Sequence, residues 1–390
     1  MTTDQDILWQ TKLHARLHDP AEKALVLLRD PEGHEGGSSR VLHRLLGFQR
    51  LEGPTIDAEA DALHRTLFKH GIPTEIYDTV RRADWWAAAA DRPQWPMKEI
   101  TVTTRQGEAR SVKVAPGAQV RWASRPVLIH PLTGAEFDLK GLRETDLDDL
   151  KSRCFEHTAV LVQRQPGGEI DWQRTLFALW RFGPELREDQ DNGSLGQLWP
   201  LLPADTRVPD HSIWDHLDLT SAFAGAFQDD PQGEAALLTL SIGPVQSFIA
   251  AARSTSDLWA GSHLLARLAW EAMKPVCEAL GPDAILFPRL RGVPQVDAWL
   301  REEIGLPAEL FTQTALTDSA TDANPLFAAA LPNRFVAVVP AGSARELAAR
   351  VEQRVRAWLQ SLGETVVKRL LEEAGLPGDA DSHAHEHRSR

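Results

Sequence analysis

The chain has 390 residues, of which 43% are hydrophobic; at about 150 residues per domain this leaves room for two or three domains, each with its own core. Its 42 basic and 55 acidic residues give a formal net charge of −13, which argues against a protein that coats duplex DNA with a cationic surface but leaves room for a local basic groove. Two cysteines, Cys154 and Cys277, exclude a disulfide framework and a four-cysteine zinc site and indicate a reducing compartment.

The first part of the chain carries apolar residues at helical spacing. This spacing predicts two short helices between residues 5 and 30, interrupted at Pro20, and further helices at 39–51, 58–70 and 79–90. The front of the protein is therefore expected to be helical.

Residues 99–114 instead alternate between apolar and polar side chains and precede the Pro- and Gly-rich segment RPVLIHPLTG, which predicts a β insertion with turns. Helical spacing returns at 146–163 and at 172–182. We expect this second group of helices to complete a first domain, residues 1–230.

A change of composition at residue 231 predicts a second domain, residues 231–375. Its apolar strand 235–242 runs through Gly243 and Pro244 into an amphipathic helix, with Pro244 suited to the first helical position. Strands are expected again from Ala284 and Arg334, followed by a long final helix. This alternation favours an α+β sandwich of ferredoxin-like type.

The ends of the chain carry little apolar sequence. The tail, residues 376–390, is polar and is expected to be disordered. The N-terminus, MTTDQDILWQ, does not read as a targeting signal, and no run approaches the ~20 apolar residues that span a bilayer. The sequence thus predicts a cytoplasmic protein without membrane contact.

The dipeptide His18-Asp19 is the first candidate for chemistry. An adjacent imidazole and carboxylate can bind one metal ion, and metal-held water hydrolyses phosphodiesters. The alternative is structural, with Asp19 capping the next helix ahead of Pro20 and His18 packed in the core.

Further candidate ligands lie far away in sequence. They are His34 in EGHEGG, Asp84 in RRADWW, and His211 and His216 in PDHSIWDH. If a helix starts at His211 with Asp210 as its N-cap, His211 and Asp215 share one face and His216 lies on a neighbouring one. A helical metal-dependent phosphohydrolase needs this set of residue types.

In the second domain, the strand–turn–helix at Gly243 and Pro244 presents backbone N–H groups that could hold a phosphate. It lacks the Walker pattern, so a plain connection is the alternative. The following polar segment ARSTSDLW contains Arg253, Asp257 and Trp259. We expect it to be a loop that binds a nucleotide or a partner subunit.

Several of these segments occur together, in the same order, in one known family. LHARLHDPAEKAL, GHEGG, ADWWAAAADRP, HPLTG, PADTRVPDHSIWDH and SIGPVQSFIAAARSTSDLWAGS resemble the large subunit of type III-B CRISPR effector complexes, the Cmr branch, and the resemblance runs from about residue 8 to about residue 340. It implies a subunit of an RNA-guided antiviral ribonucleoprotein. Its expected partners are the other subunits of the complex, with guide RNA and target RNA bound through the complex.

The resemblance also implies site residues. His18 and Asp19 match the catalytic and metal-binding pair of a permuted HD nuclease-like domain that cleaves single-stranded DNA with Mn²⁺, Ni²⁺ or Co²⁺. The remaining ligands would come from the matching positions His34, Asp84 and either His211 or His216. In the palm-like domain, the family motif falls on four candidate contacts to a nucleotide such as ATP: Gly243, Gln246, Arg253 and Asp257.

The chain also departs from the family pattern. It has no Gly-Gly-Asp-Asp turn, no zinc module and about half the family length, so we expect no cyclic oligoadenylate synthesis from this chain alone, and a second polypeptide could supply the missing palm. One alternative function is a catalytically inactive scaffold that binds partner subunits and nucleotide. Another is a general HD phosphohydrolase acting on mononucleotides.

Overall fold

The structure is a computed structural model that describes residues 4–29, 74–88, 98–103, 107–114, 127–129, 136–138, 146–185, 196–204, 211–312, 324, 326 and 328–375. The helices in chain order are α1 (Asp4–Leu17), α2 (Lys23–Arg29), α3 (Thr74–Ala87), α4 (Leu147–Val160), α5 (Trp172–Phe182), α6 (Ile213–Asp229), α7 (Val245–Ala250), α8 (Thr255–Leu280), α9 (Pro294–Glu302) and α10 (Ala344–Glu373). The strands are β1 (Lys98–Thr103), β2 (Ala109–Val114), β3 (Val127–Ile129), β4 (Glu136–Asp138), β5 (Ala235–Ser241), β6 (Ile285–Phe287) and β7 (Arg334–Pro340).

The predicted α+β class is confirmed as a mostly helical chain with a small antiparallel sheet. The sheet has the strand order β5-β7-β6, and β7 is antiparallel to both of its neighbours. Strand β1 pairs with β2, and β3 with β4, each pair antiparallel, where the sequence predicts a β insertion. The predicted helices 39–51 and 58–70 and the tail 376–390 lie outside the described residues, and the division at residue 231 stays a prediction.

Local capping explains where several helices begin. Helix α5 covers the predicted span, because the Asp171 side chain accepts a hydrogen bond from the backbone N–H of Arg174. Helix α3 begins at Thr74, five residues before the expected start. Pro244 is the N-cap of α7 and precedes the first helical residue, Val245.

Two sequence-based expectations about helix starts are wrong. Helix α6 begins at Ile213 and not at His211, because Ser212 is its N-cap and accepts from the N–H of Asp215. The polar segment after Arg253 is not a loop, because Ser254 caps a helix that begins at Thr255.

The main hydrophobic core joins the front helices to the sheet. Trp9 of α1 lies edge-to-face on Phe177 of α5, with ring centroids 5.4 Å apart. Phe177 in turn contacts Trp299 of α9, and the same cluster includes Phe335 of β7. One core therefore extends across both sides of residue 231.

A buried ion pair also joins the parts of the chain before and after residue 231, and we call this contact region the junction. The Nζ atom of Lys12 lies 2.7 Å from Oδ2 of Asp283, and both side chains are fully buried. Burial lowers the pKa of Lys12, and the attraction of Asp283 opposes that shift. Lys12 fits beside α6 because residue 225 is glycine, where a Cβ would lie 2.8 Å from Cδ of Lys12.

Two further carboxylates reinforce the junction. Asp218 of α6 accepts hydrogen bonds from Arg16 of α1 and from Arg291, which follows β6. Arg181 of α5 makes a two-pronged contact to Asp297 of α9, at 2.6 and 2.8 Å. Among the described residues, no helix is both long and apolar enough to cross a membrane.

Candidate metal centre

Three segments bring the candidate ligands together. His18 and Asp19 follow the C-terminal end of α1, Asp84 lies in α3, and His216 lies in the first turn of α6. Helices α1 and α3 both pack against α6. Segments 65 to 198 positions apart in sequence therefore meet at one place, with their ligand atoms within 4.8 Å of one another.

The four ligand atoms alternate between nitrogen and oxygen. Nε2 of His18 is 3.2 Å from Oδ2 of Asp19 and 3.5 Å from Oδ1 of Asp84. Nε2 of His216 is 3.5 and 3.3 Å from the same two oxygens. The side chains of His216, Asp19, His18 and Asp84 are 2%, 5%, 10% and 22% exposed, so the group is enclosed and opens to solvent beside Asp84.

This spacing suits one transition-metal ion. Nitrogen and oxygen ligands at about 2.0–2.2 Å from an ion lie about 3.3–3.6 Å apart at the tetrahedral angle and about 2.8–3.1 Å apart at the octahedral angle. The four nitrogen-to-oxygen distances of 3.2–3.5 Å lie at the tetrahedral end of that span. Two imidazoles with two carboxylates are also a ligand set that Mn²⁺, Ni²⁺, Co²⁺ and Zn²⁺ accept.

Neighbouring groups orient two of the ligands. Nδ1 of His18 lies 2.6 Å from the carbonyl oxygen of Ala15, which fixes Nδ1 as the donor and turns Nε2 toward the carboxylates. The Nζ atom of Lys23 donates to Oδ2 of Asp19 at 2.6 Å. Nε2 of His18 and Nε2 of His216 are buried and face the two carboxylate oxygens, as expected of atoms turned toward a cation.

The carboxylates are held in their charged form. Burial by itself would raise the pKa of Asp19, but Lys23 and His18 lower it well below its usual range. Burial acts in the same direction on Asp84, and hydrogen bonding to His18 and His216 lowers the pKa of that carboxyl. The two carboxylates in turn overcome the effect of burial on His18 and raise its pKa to about 10. The group therefore demands positive charge, which either a proton on His18 or a bound cation supplies.

The structure separates the two histidines that the sequence left as alternatives. His211 lies just before α6, and its ring centroid is 5.9 Å from that of His216. Only His216 belongs to the group of four, because the cap at Ser212 places it in the first inward-facing turn of α6. His34 lies outside the described residues.

Sequence reasoning missed Lys23, which neutralises part of the charge on Asp19. Its signal is the four-residue spacing in the segment HDPAEK, which places the two side chains within reach across one turn. The carbonyl of Ala15 carries no sequence signal, because any residue at that position presents one.

The four candidate nucleotide contacts in the predicted palm-like domain are all exposed to solvent: Gly243, Gln246, Arg253 and Asp257. Asp257 has a structural role at the start of α8. Its N–H donates to Oγ of Ser254, and its carboxylate accepts from the N–H of Arg253, each at 3.1 Å. These bonds form a reciprocal helix cap, and nucleotide binding there stays a prediction.

Comparison with known proteins finds similarity to subunits of CRISPR systems. Residues 237–364 match the family described as "CRISPR-associated protein Cmr2, N-terminal". The chain is 37% identical over 385 residues to the "CRISPR system Cmr subunit Cmr2" of Pyrococcus furiosus, an alignment covering 90% of this chain and 37% of that protein. A Cmr2 subunit of Saccharolobus solfataricus is 40% identical over 90 residues, which are 23% of this chain and 9% of the relative.

Two solved structures share the fold. The type III-B Cmr-beta complex in its apo state contains a chain that superposes with a TM-score of 0.56 at 20% identity, covering 93% of this chain and 34% of that one. The complex bound to cognate target RNA gives a TM-score of 0.52 at 19% identity, covering 95% and 33%. The chain thus spans little more than a third of the length of the relative from Pyrococcus furiosus.

Proposed function

This chain belongs to the Cmr2 family of type III-B complexes and corresponds to the N-terminal region of that subunit, and on this premise we propose that it serves an RNA-guided antiviral effector complex as a metal-dependent nuclease for single-stranded DNA. The observation that carries the nuclease proposal is the enclosed square of two imidazole nitrogens and two carboxylate oxygens, with nitrogen-to-oxygen distances of 3.2–3.5 Å. Mn²⁺, Ni²⁺ and Co²⁺ are the proposed ions.

We further propose that residues 1–230 form a permuted HD-like domain with a β insertion and residues 231–375 a ferredoxin-like palm. The strand order supports the palm assignment. Strands β5 and β6 run in the same direction with antiparallel β7 between them, and α8 connects β5 to β6. This is the split β-α-β arrangement of the ferredoxin-like fold.

The two carboxylates, Lys23 and His18 have separate roles in this proposal. A bound divalent ion would lower the pKa of a coordinated water and polarise the scissile phosphate. Asp19 and Asp84 supply the negative charge that retains the ion, and Lys23 keeps Asp19 ionised and oriented. His18 presents Nε2 because Ala15 holds its other nitrogen. The phosphodiester would approach beside Asp84, the most exposed of the four.

The test is titration of Mn²⁺ into the purified chain, followed by Mn²⁺-dependent cleavage of a labelled single-stranded DNA. Asp19→Asn keeps the size of the side chain and removes its charge. We expect Mn²⁺ affinity to fall at least about 100-fold, because loss of an outer-shell partner alone costs about 10–100-fold, and cleavage to be lost. His263→Ala, a histidine of α8 outside the group, should leave both unchanged.

Melting curves of the three proteins would verify that the variants are folded. A wild-type chain that binds no Mn²⁺, or an Asp19→Asn chain that cleaves at the wild-type rate, would contradict the nuclease proposal. Binding without cleavage, even with guide RNA and partner subunits added, would favour the scaffold.

The scaffold function has support of its own from the palm-like part. Large apolar side chains are exposed there, from 41% to 68% of their area: Leu237, Phe248, Leu258, Trp259, Leu286, Phe287, Leu359, Val366 and Leu370. Exposed apolar surface of this extent is typical of binding sites for other proteins. We propose that it receives partner subunits, or a second polypeptide that supplies the remaining palm, and that ATP is held between the two.

A further inference from the structure

Helix α3 carries a line of aromatic and basic side chains beside the metal centre. Tyr77, Arg81 and Trp85 are spaced four residues apart and so lie in one row along the helix. The guanidinium carbon of Arg81 is 5.5 Å from the ring centroid of Tyr77 and 5.3 Å from that of Trp85. Arg81 thus links the two rings by cation–π contacts. We call these three residues the aromatic ladder.

The aromatic ladder lies on the side of α3 that leads to the metal centre. Residues three and four apart are neighbours on a helix, so Asp84 is next to Arg81. Asp84 is also the ligand through which the centre opens to solvent, with 22% of its side chain exposed. A chain lying along the ladder would therefore reach the opening of the centre.

Arg81 and Trp85 are exposed, Tyr77 is half-buried against a hydrophobic cluster, and the neighbouring Trp86, 51% exposed, packs on α6. Trp85 is 56% exposed, and the Arg81 side chain is 48% exposed. Trp86 instead contacts Phe223 and Phe227 of α6, with centroids 5.5 Å from each. Edge-to-face packing on α6 gives Trp86 a structural role, whereas Trp85 contacts Arg81 and keeps more than half of its indole exposed.

The chemistry of the ladder fits unpaired bases. Aromatic rings and a planar guanidinium stack on bases of any sequence, and Arg also donates to phosphates. The chain as a whole has a net charge of −13, so a nucleic acid needs a local surface of this kind to be held near two carboxylates. Arg81 pairs with Asp78 at 3.0 Å, an exposed contact that phosphate can replace because such pairs are weak.

We propose that the aromatic ladder of Tyr77, Arg81 and Trp85 is a stacking platform that binds the bases of single-stranded DNA and leads the strand to the metal centre. This rests on the proposed nuclease function. The surface selects a single strand over a duplex, because in a duplex the base faces are already stacked.

The test measures binding of a fluorescein-labelled 15-residue oligo(dT) by anisotropy in EDTA, where no cleavage occurs. Trp85→Ala should weaken binding by about 5- to 150-fold, the change that corresponds to about 1–3 kcal/mol per stacked base. Trp85→Phe should restore most of the affinity because it retains a ring. Val160→Ala removes a comparably exposed apolar side chain, 69% exposed, from α4 and should bind like the wild type.

Further arms separate this proposal from the nuclease proposal. Mn²⁺ affinity should be unchanged in Trp85→Ala, since Trp85 is not a ligand. Equal oligo(dT) affinity of wild type and Trp85→Ala, or no binding by the wild type, would overturn the platform while Mn²⁺ binding still supports the metal centre. If the wild type failed to bind Mn²⁺, the nuclease proposal would be contradicted. The anisotropy measurement would still decide whether the aromatic ladder binds DNA. Tighter binding of oligo(U) than oligo(dT) would overturn the assignment to DNA.

Discussion

The two regions of this chain that carry sequence motifs differ in solvent exposure: the metal centre is buried, and the segment that starts α8 is exposed. In the metal centre, the side chains of Asp19 and His216 are 5% and 2% exposed, and each atom of the group faces another member of it. In the segment that starts α8, Arg253 and Asp257 have 91% and 43% of their side chains exposed. Both segments carry the family resemblance, but only the first is enclosed by the chain itself.

The difference shows which site can be tested on this chain alone. A buried polar group is costly unless its partners are present, so the ligands of the metal centre must be held by contacts within this chain. An exposed segment with apolar neighbours needs a second surface to become a pocket. The chain covers 37% of the Pyrococcus furiosus relative. We propose that the second surface comes from a polypeptide that corresponds to the part of the relative that this chain does not cover.

The largest expected loss in the free energy of unfolding tests whether contacts within this chain hold its buried part together. Lys12→Met removes one partner of the fully buried pair with Asp283. The free energy of unfolding should fall by about 3–5 kcal/mol, because an uncompensated carboxylate remains buried. Unfolding in urea at pH 7, monitored by tryptophan fluorescence, measures the loss.

The matched control for Lys12→Met is Arg356→Met, which breaks an exposed pair with Glu352 one turn away on α10. It should cost about 0.3–0.5 kcal/mol. The double variant Lys12→Met/Asp283→Leu should recover much of the loss, since an apolar pair can replace a buried ion pair. Equal costs for the two single variants would show that the buried pair does not hold the junction.

A smaller and pH-dependent effect on stability is expected at Asp230, next to the predicted domain division at residue 231. Asp230 is the C-cap residue of α6, and its carboxylate accepts backbone hydrogen bonds from Glu234, Gly342 and Gln232, which lower its pKa. A lowered pKa stabilises the folded state above the unfolded value of about 3.9, and this stability is lost as the pH falls through the folded pKa. Asp230→Asn should lower the melting temperature at pH 7, and the deficit should shrink below about pH 4.

The neighbouring acid is the control of opposite sign. Burial, and then the charge of Asp230, raise the pKa of Asp229, so its ionised form is disfavoured in the folded state and at the negative end of α6. Asp229→Asn should keep or slightly raise the melting temperature at pH 7. A loss as large as that of Asp230→Asn would show that the backbone contacts are not the cause.

Local sequence signals predict the elements well where caps and periodicity agree. Helix α5 and strand β7 begin at the residues that the sequence indicates, Trp172 and Arg334. The start of α6 differs, because Asp210 and Ser212 are both good N-cap residues and only the folded backbone selects Ser212. The choice between His211 and His216 depends on that selection.

The metal centre could be predicted only as a set of residue types. His18-Asp19 is a recognisable pair, and Asp84 and His216 stand in distinctive segments. Their convergence depends on how α1 and α3 pack against α6, and no local pattern contains that information. The same holds for Lys12 and Asp283, 271 positions apart, because each looks like a surface charge until the chain is folded.

The smallest effect concerns the outward-facing side of β5. Leu237 is 68% exposed, whereas the next residue, Leu238, packs against the main core from the other face of the strand. Leu237→Thr should change the free energy of unfolding by no more than about 0.5 kcal/mol. Leu238→Thr should cost about 1.5–3 kcal/mol through lost burial. Threonine suits a strand in both cases, so urea unfolding of the two variants compares burial alone.

A cost for Leu237→Thr equal to that of Leu238→Thr would mean that this chain already covers the outer face of β5, and the comparison between an enclosed and an open region would fail. A negligible cost means that the face is open in the isolated chain. The same substitution then becomes a probe of assembly: if a partner packs on Leu237, threonine should weaken that association while leaving the stability of the free chain unchanged. An exposed leucine in a strand whose other face is core has little to contribute to the folded chain itself, so its energetic role must come from whatever binds there.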